Sequence, residues 1–171
     1  MEPFRETQKV KGFTCGSKPL DDFLTTAEVE RFEREGLGRT FLVFYDGALI
    51  AYYTLSNDSL RIEYVTHVKS FSKVQELRVD SVPAVKVGRL AVSKEWQSRG
   101  VGRNLIAMIA AEALAHGQRS GVRLLVLEAK KDSIGFYEKC GFVLTKETRR
   151  ERNKLNRTMF LDLQALDALR A

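Results

Sequence analysis

Apolar and polar positions along this chain fall into blocks that switch between a helical and a strand period. Residues 4–10 read as a short opening strand. Leu20, Phe23, Leu24 and Ala27 follow at i, i+3, i+4 and i+7, one apolar face of a helix. Ser17 offers an N-cap and Pro19 suits a first helical turn, so helix is predicted to about Arg34, where Gly36-Leu37-Gly38 breaks it. Thr40 to Tyr45 and Leu49 to Ser56 are β-rich runs joined by Asp46-Gly47, a hairpin turn signal. Residues 57–82 are polar and mixed, with room for a strand and a short helix. Pro83 then precedes a strand over 84–92. Val101, Leu105, Met108 and Ile109 give an apolar face to a helix over 101–116, and Gly117 is expected to stop it. Val122 to Leu127 is nearly all apolar, as expected of a strand covered on both faces. A short helix over Ser133–Lys139, a strand over Phe142–Thr145 and a last strand over Thr158–Leu163 complete the pattern. Strands come first, then β-α-β-α-β-β, the order of an α/β layered domain on one mixed sheet. With 171 residues and no repeat, linker or low-complexity stretch, a single domain over 1–171 is expected.

The junction between the strand over 84–92 and the helix after it carries the chemistry. Gln97-Ser98-Arg99-Gly100-Val101-Gly102 places two glycines where the chain turns from strand to helix. Without a Cβ the backbone can come close to a ligand. The free N–H groups of the helix's first turn favour an anion there, and Arg99 and Arg103 can add charge-assisted bonds to phosphate. The local reading is a pyrophosphate cradle; the bland alternative is a helix start that happens to carry glycines. A dinucleotide fingerprint fails because position 105 is Leu, and a P-loop fails because Gly102 is followed by Arg103-Asn104.

About thirty residues on lies Phe136-Tyr137-Glu138-Lys139-Cys140-Gly141-Phe142. Together, Leu90-Ala91-Val92 followed by Q-x-x-G-x-G and this F-Y-E-K-x-G-F segment resemble the GCN5-related N-acetyltransferase (GNAT) superfamily. The resemblance implies a mixed, mostly antiparallel sheet with helices on both faces and two splayed parallel strands that admit acetyl-CoA, the co-substrate, with no metal. It implies that Gln97, Ser98, Arg99, Gly100, Val101, Gly102, Arg103 and Asn104 hold the pyrophosphate. Backbone N–H groups around Leu90, Ala91 and Val92 would pair with the pantetheine arm and face the oxyanion. Tyr137 would be the general acid for the departing thiolate. A phenol with a pKa near ~10 keeps its proton at neutral pH, and a thiolate whose conjugate acid lies near ~8.5 accepts one. The alternative for Tyr137 is a core residue with its hydroxyl hydrogen-bonded. The family often has Asn seven residues before this Tyr and Ala four before it; here Lys130 and Ser133 stand instead. Lys130 is a candidate for the CoA phosphates.

Composition narrows the picture. No apolar run approaches the ~18 residues of a membrane span, and the N-terminus lacks a signal-peptide pattern, so a cytoplasmic location is expected. Two cysteines, Cys15 and Cys140, make no disulfide framework, and no Cys/His spacing matches a zinc site. With only two histidines, neither in a recognisable pairing, a covalent cysteine mechanism has no support. The net charge of +6 suits a polyanionic partner and disfavours a polycationic acceptor. Part of the excess is local: six basic residues against two acidic lie between Lys146 and Arg157. That run is either a solvated loop or a contact surface for nucleic-acid phosphates.

Phe13-Thr14-Cys15-Gly16, then Leu20-Asp21-Asp22-Phe23-Leu24 and Ala27, are similar to the opening of one GNAT branch. That branch includes the acetyltransferase toxins of bacterial toxin–antitoxin pairs, which acetylate the α-amine of aminoacyl-tRNA and are restrained by a ribbon-helix-helix antitoxin. The resemblance implies charged tRNA as acceptor and such an antitoxin as partner; a homodimer is an assembly to test. The competing readings are an ordinary GNAT acting on a small-molecule or protein amine, and a non-catalytic CoA-binding regulator. No carboxylate lies in the strand 84–92 to act as base; Glu63, Glu76 and Glu128 are the unplaced candidates. An aminoacyl ester's α-amine is already acidified by the ester and needs no strong base.

Overall fold

The computed structural model describes residues 1–4, 10–146 and 155–167. The expected opening strand therefore lies mostly outside the described residues, as does most of the basic run 146–157. Seven strands form one sheet: β1 (Glu2–Pro3), β2 (Arg39–Tyr45), β3 (Ala48–Arg61), β4 (Ser81–Val92), β5 (Leu124–Lys130), β6 (Val143–Leu144) and β7 (Asn156–Asp162). Their order is β1-β2-β3-β4-β5-β7-β6, mostly antiparallel, with β4 and β5 parallel. By packing, the chain forms two compact units, Met1–Ser56 with Val87–Leu105, and Asn57–Lys86 with Ile106–Ala171.

In the first unit, the Asp46-Gly47 turn closes the β2–β3 hairpin with φ of 48° and 75°, and Tyr45 faces Ala48 across it. Positive φ at both central residues matches the twist of a two-residue hairpin. The single helix expected over 18–34 is two, α1 (Lys18–Thr25) and α2 (Glu28–Arg34). Thr26 still bonds back to the Asp22 carbonyl but turns extended, and its Oγ1 accepts the Glu28 N–H at 3.2 Å. The apolar period runs through this break, which is why the pattern alone did not reveal it. Ser17 contributes its carbonyl, not its side chain, to the start of α1. The core of this unit joins Phe13, Phe23, Leu24, Val29, Leu42, Tyr52 and Ala91.

The second unit holds the stretch that the pattern left open. After β3, which runs to Arg61 rather than Ser56, come two 3₁₀ turns (Ile62–Tyr64 and Lys69–Phe71) and α3 (Ser72–Gln75). Val65 and Phe71 are fully buried against Val82, Leu124, Val126 and Phe160. Arg123 fixes this segment: its guanidinium grips Asp162 at 2.7 and 2.9 Å, bonds the Ser70 carbonyl at 3.3 Å and meets the Gln164 side chain. Pro83 lies inside β4 rather than before it. Its ring is exposed and its carbonyl accepts the Arg123 N–H at 3.0 Å, so the missing donor disturbs little. Helix α4 (Val101–Ser120) passes through Gly117 instead of stopping there. A Cβ at Gly117 would sit 3.1 Å from the Val122 amide nitrogen, so that glycine permits a close return of the chain. The helix stops at Gly121, at φ 74°, where a left-handed residue ends it.

Candidate active site

The strand-to-helix loop is built in the first unit. A 3₁₀ turn over Lys94–Trp96 leads out of β4, tied by the Ser93 N–H to the Ile50 carbonyl (2.8 Å) and the Lys94 N–H to the Thr14 carbonyl (2.9 Å). The Gln97 side-chain nitrogen is turned to the protein. Both of its N–H donors are engaged, on the Cys15 carbonyl at 2.8 Å and the Val92 carbonyl at 2.9 Å. It staples the loop to the end of β4 and to the segment before α1. Ser98 and Gly100 then take left-handed backbone, φ 60° and 80°, which reverses the chain into α4. A Cβ at Gly100 would meet no protein atom within 4 Å. The glycine therefore serves the backbone turn and leaves open space above it. The first intrahelical bond is from the Asn104 N–H to the Gly100 carbonyl, so the amides of Val101, Gly102 and Arg103 precede it and face outward from the helix end. Ser98, Arg99, Arg103 and Asn104 are exposed. This arrangement fits a pyrophosphate: open space, outward amides and two cations.

Ala91 is buried in the first unit's core, while Leu90 and Val92 are half-buried on the opposite face of β4. Arg89 was not singled out by the sequence reading. Its guanidinium lies 3.6 Å from the Phe23 ring centroid and 5.3 Å from that of Phe32, and 3.3 Å from Glu28 Oε1. A charged residue on the inward face of an otherwise apolar strand was the available signal. Cys15 is part-buried, and burial pushes its thiol up, away from nucleophile chemistry.

Tyr137 belongs to the second unit. It sits on α5 (Ile134–Lys139), edge-on to Phe136 at 5.0 Å and to Phe142 at 5.7 Å. The backbone explains the motif. The Tyr137 carbonyl accepts the N–H groups of Cys140 and Phe142, and Gly141 turns back at φ 92°, which lays Phe142 over the Tyr137 ring. A Cβ at Gly141 would press on Leu161 at 3.3 Å. Burial pushes the Tyr137 phenol up to about 12. Its hydroxyl has no hydrogen-bond partner among the described residues. Lys130 is exposed at the end of β5, opposite Asn156. Of the carboxylates left unplaced, Glu128 pairs with Lys86 at 3.2 Å and Glu63 with Arg61 at 3.2 Å, both exposed, and Glu76 is exposed. Among the described residues no helix is long and apolar enough to cross a membrane, and no group of three acidic, Cys or His side chains could hold a metal.

Comparison with known proteins agrees with this architecture. The chain is 27% identical over 133 residues, 77% of its length and 76% of the relative's, to the tRNA-acetylating toxin of Mycobacterium tuberculosis (strain ATCC 25618 / H37Rv). It shares its fold with AtaT complexed with acetyl-methionyl-tRNAfMet: 23% identity, 96% of this chain and 94% of that one, TM-score 0.80. It also shares it with a Tyr-to-Phe mutant of the AtaT toxin bound to acetyl-CoA and the C-terminus of the antitoxin AtaR: 21% identity, 98% and 95% coverage, TM-score 0.76. The model of the acetyltransferase (GNAT) family matches residues 11–142, most of the chain, so this protein belongs to that family and is an N-acetyltransferase.

Proposed function

We propose that this enzyme moves an acetyl group from acetyl-CoA to the α-amine of aminoacyl-tRNA. The observation that carries the acceptor is the 27% identity to a tRNA-acetylating toxin across three quarters of both chains. The net charge of +6 agrees with a polyanionic acceptor. Acetyl-CoA supplies the activated thioester. The amides of residues 101–103, with Arg99 and Arg103, hold its pyrophosphate, Lys130 approaches its phosphates, and backbone N–H groups around Leu90–Val92 stabilise the developing oxyanion. The amine attacks the thioester carbonyl directly, the C–S bond breaks, and Tyr137 gives its proton to the leaving sulfur while the new amide nitrogen loses one to solvent. The open hydroxyl of Tyr137, held on a ring fixed by Phe136 and Phe142, supports that role. The enzyme works in the cytoplasm, where charged tRNA is found, and a small antitoxin restrains it, as the AtaT–AtaR complex suggests by analogy.

The test is transfer of labelled acetyl from acetyl-CoA to a pool of charged tRNA, with Tyr137→Phe as control. Tyr137-dependent label on aminoacyl-tRNA is the expected result. Label on free amines or protein N-termini alone would replace this acceptor with an ordinary GNAT substrate.

A further inference from the structure

Beside the anion loop lies an aromatic pair, Tyr45 and Trp96, that the reaction above does not use. Trp96, the chain's one tryptophan, stands in the 3₁₀ turn just before Gln97. Its ring centroid is 5.0 Å from that of Tyr45, tilted 58°, and the Arg99 guanidinium lies 5.3 Å from the Trp96 centroid. Tyr45 ends β2 at the hairpin turn and is 60% exposed. Neither Arg99 nor Lys94, two residues before Trp96, has an ion-pair partner among the described residues. An exposed tyrosine tilted against a half-buried tryptophan offers aromatic faces with positive charge at their edge. Unpaired nucleobases settle on such surfaces, because every base has a π-face and its phosphates meet the cation.

We infer that the Tyr45–Trp96 pair is a nucleobase platform that takes the unpaired 3′ end of the RNA acceptor. The inference rests on the acceptor proposed above. The positive charge beside the pair complements an RNA backbone. Tyr45, at the end of β2, lies two strands from β4, the strand assigned to the pantetheine arm. A terminal base held on the pair would carry the adjoining aminoacyl ester without contact to its side chain, so recognition would be indifferent to the amino acid.

The single tryptophan makes the test direct, because intrinsic Trp fluorescence reports on this platform alone. The wild-type protein is titrated with uncharged tRNA, with the same tRNA trimmed of its unpaired 3′ nucleotides, and with acetyl-CoA. Quenching by the full tRNA, lost on trimming, is expected. Tyr45→Ala should then raise KM for aminoacyl-tRNA about tenfold and leave kcat and the KM for acetyl-CoA unchanged. Equal quenching by trimmed tRNA, no quenching by either RNA, or an unaltered KM in Tyr45→Ala would overturn the platform. Quenching by acetyl-CoA alone would assign the pair to the CoA adenine and overturn it as an RNA site. Failure of the acceptor reading is seen separately, as absent label on aminoacyl-tRNA in the wild-type enzyme.

Discussion

Tyr52 is fully buried and Tyr137 half-buried; desolvation pushes both phenols above the usual range, and their hydroxyls meet different fates. The Tyr52 hydroxyl donates to the Leu20 carbonyl at 2.7 Å, and its ring stacks on Phe23 in the core of the first unit. The Tyr137 hydroxyl has no partner among the described residues, though aromatic rings hold its own ring on either side. One hydroxyl is engaged by the fold; the other is fixed in place and left open. The same division runs through the loop, where the Gln97 amide is engaged on two carbonyls while the first-turn amides of α4 stay open. Open polar groups on a well-ordered frame are what a substrate can use, since they need no rearrangement on binding.

Tyr137→Phe tests the division at its largest expected effect. Losing the general acid proposed above should lower kcat on the order of 10²-fold or more. Acetyl-CoA affinity by calorimetry and Tm should stay near wild type, because the ring contacts survive. A drop in Tm with unchanged kcat would put Tyr137 in the same class as Tyr52. Next comes Gly100→Val. The side chain would enter open space above the loop and force a β-branched residue into φ 80°. Acetyl-CoA affinity should fall at least about tenfold, ~1.4 kcal/mol. Gly100→Ala, which strains the backbone but fills less space, should fall less. Equal losses would mean that the turn alone matters and no ligand approaches there.

Much of this frame was legible locally, and the exceptions share a cause. The end of the strand at Val92, the glycine loop, the start of the helix at Val101 and the Asp46-Gly47 turn lie where the pattern puts them, because each is specified within about ten residues. Gln97 reads as a ligand contact in the motif, and its side-chain nitrogen also ties the loop to the carbonyl of Cys15, 82 residues earlier. Gly117 reads as a helix stop, yet its absent side chain makes room for Val122. Residues 62–75 carry no clear period because side chains such as Phe71 are placed by distant partners, Arg123 and Phe160, rather than by neighbours. The division between engaged and open hydroxyls is of the same kind: Tyr52 finds Leu20 across 32 positions, and nothing near Tyr52 in sequence announces it.

Tyr52→Phe is the complementary experiment. It removes the Tyr52 hydrogen bond to the Leu20 carbonyl and should cost about 1 kcal/mol of stability in a denaturant titration. Turnover should not change. A loss of kcat without a loss of stability would make Tyr52 part of the chemistry and dissolve the contrast.

The smallest effect is in the alkaline range, and its sign follows from the raised pKa. The folded protein holds the Tyr137 proton up to about pH 12, whereas the unfolded chain loses it near ~10. Over that interval the unfolded state binds fewer protons, so stability that is complete below about pH 10 declines as pH rises toward about 12. One such group changes stability by at most ~1.4 kcal/mol per pH unit. Tyr52 adds a slope of the same sign. Each Phe variant should therefore flatten the alkaline decline, and by this measure the two tyrosines are alike. They part in the pH profile of kcat. A phenol that stays protonated predicts no loss of turnover from about pH 8 to about pH 10. A fall in kcat centred near pH 10, missing from the residual activity of Tyr137→Phe, would mean that the hydroxyl titrates as a free phenol in the working enzyme. Burial would then not be what keeps the acid charged with its proton.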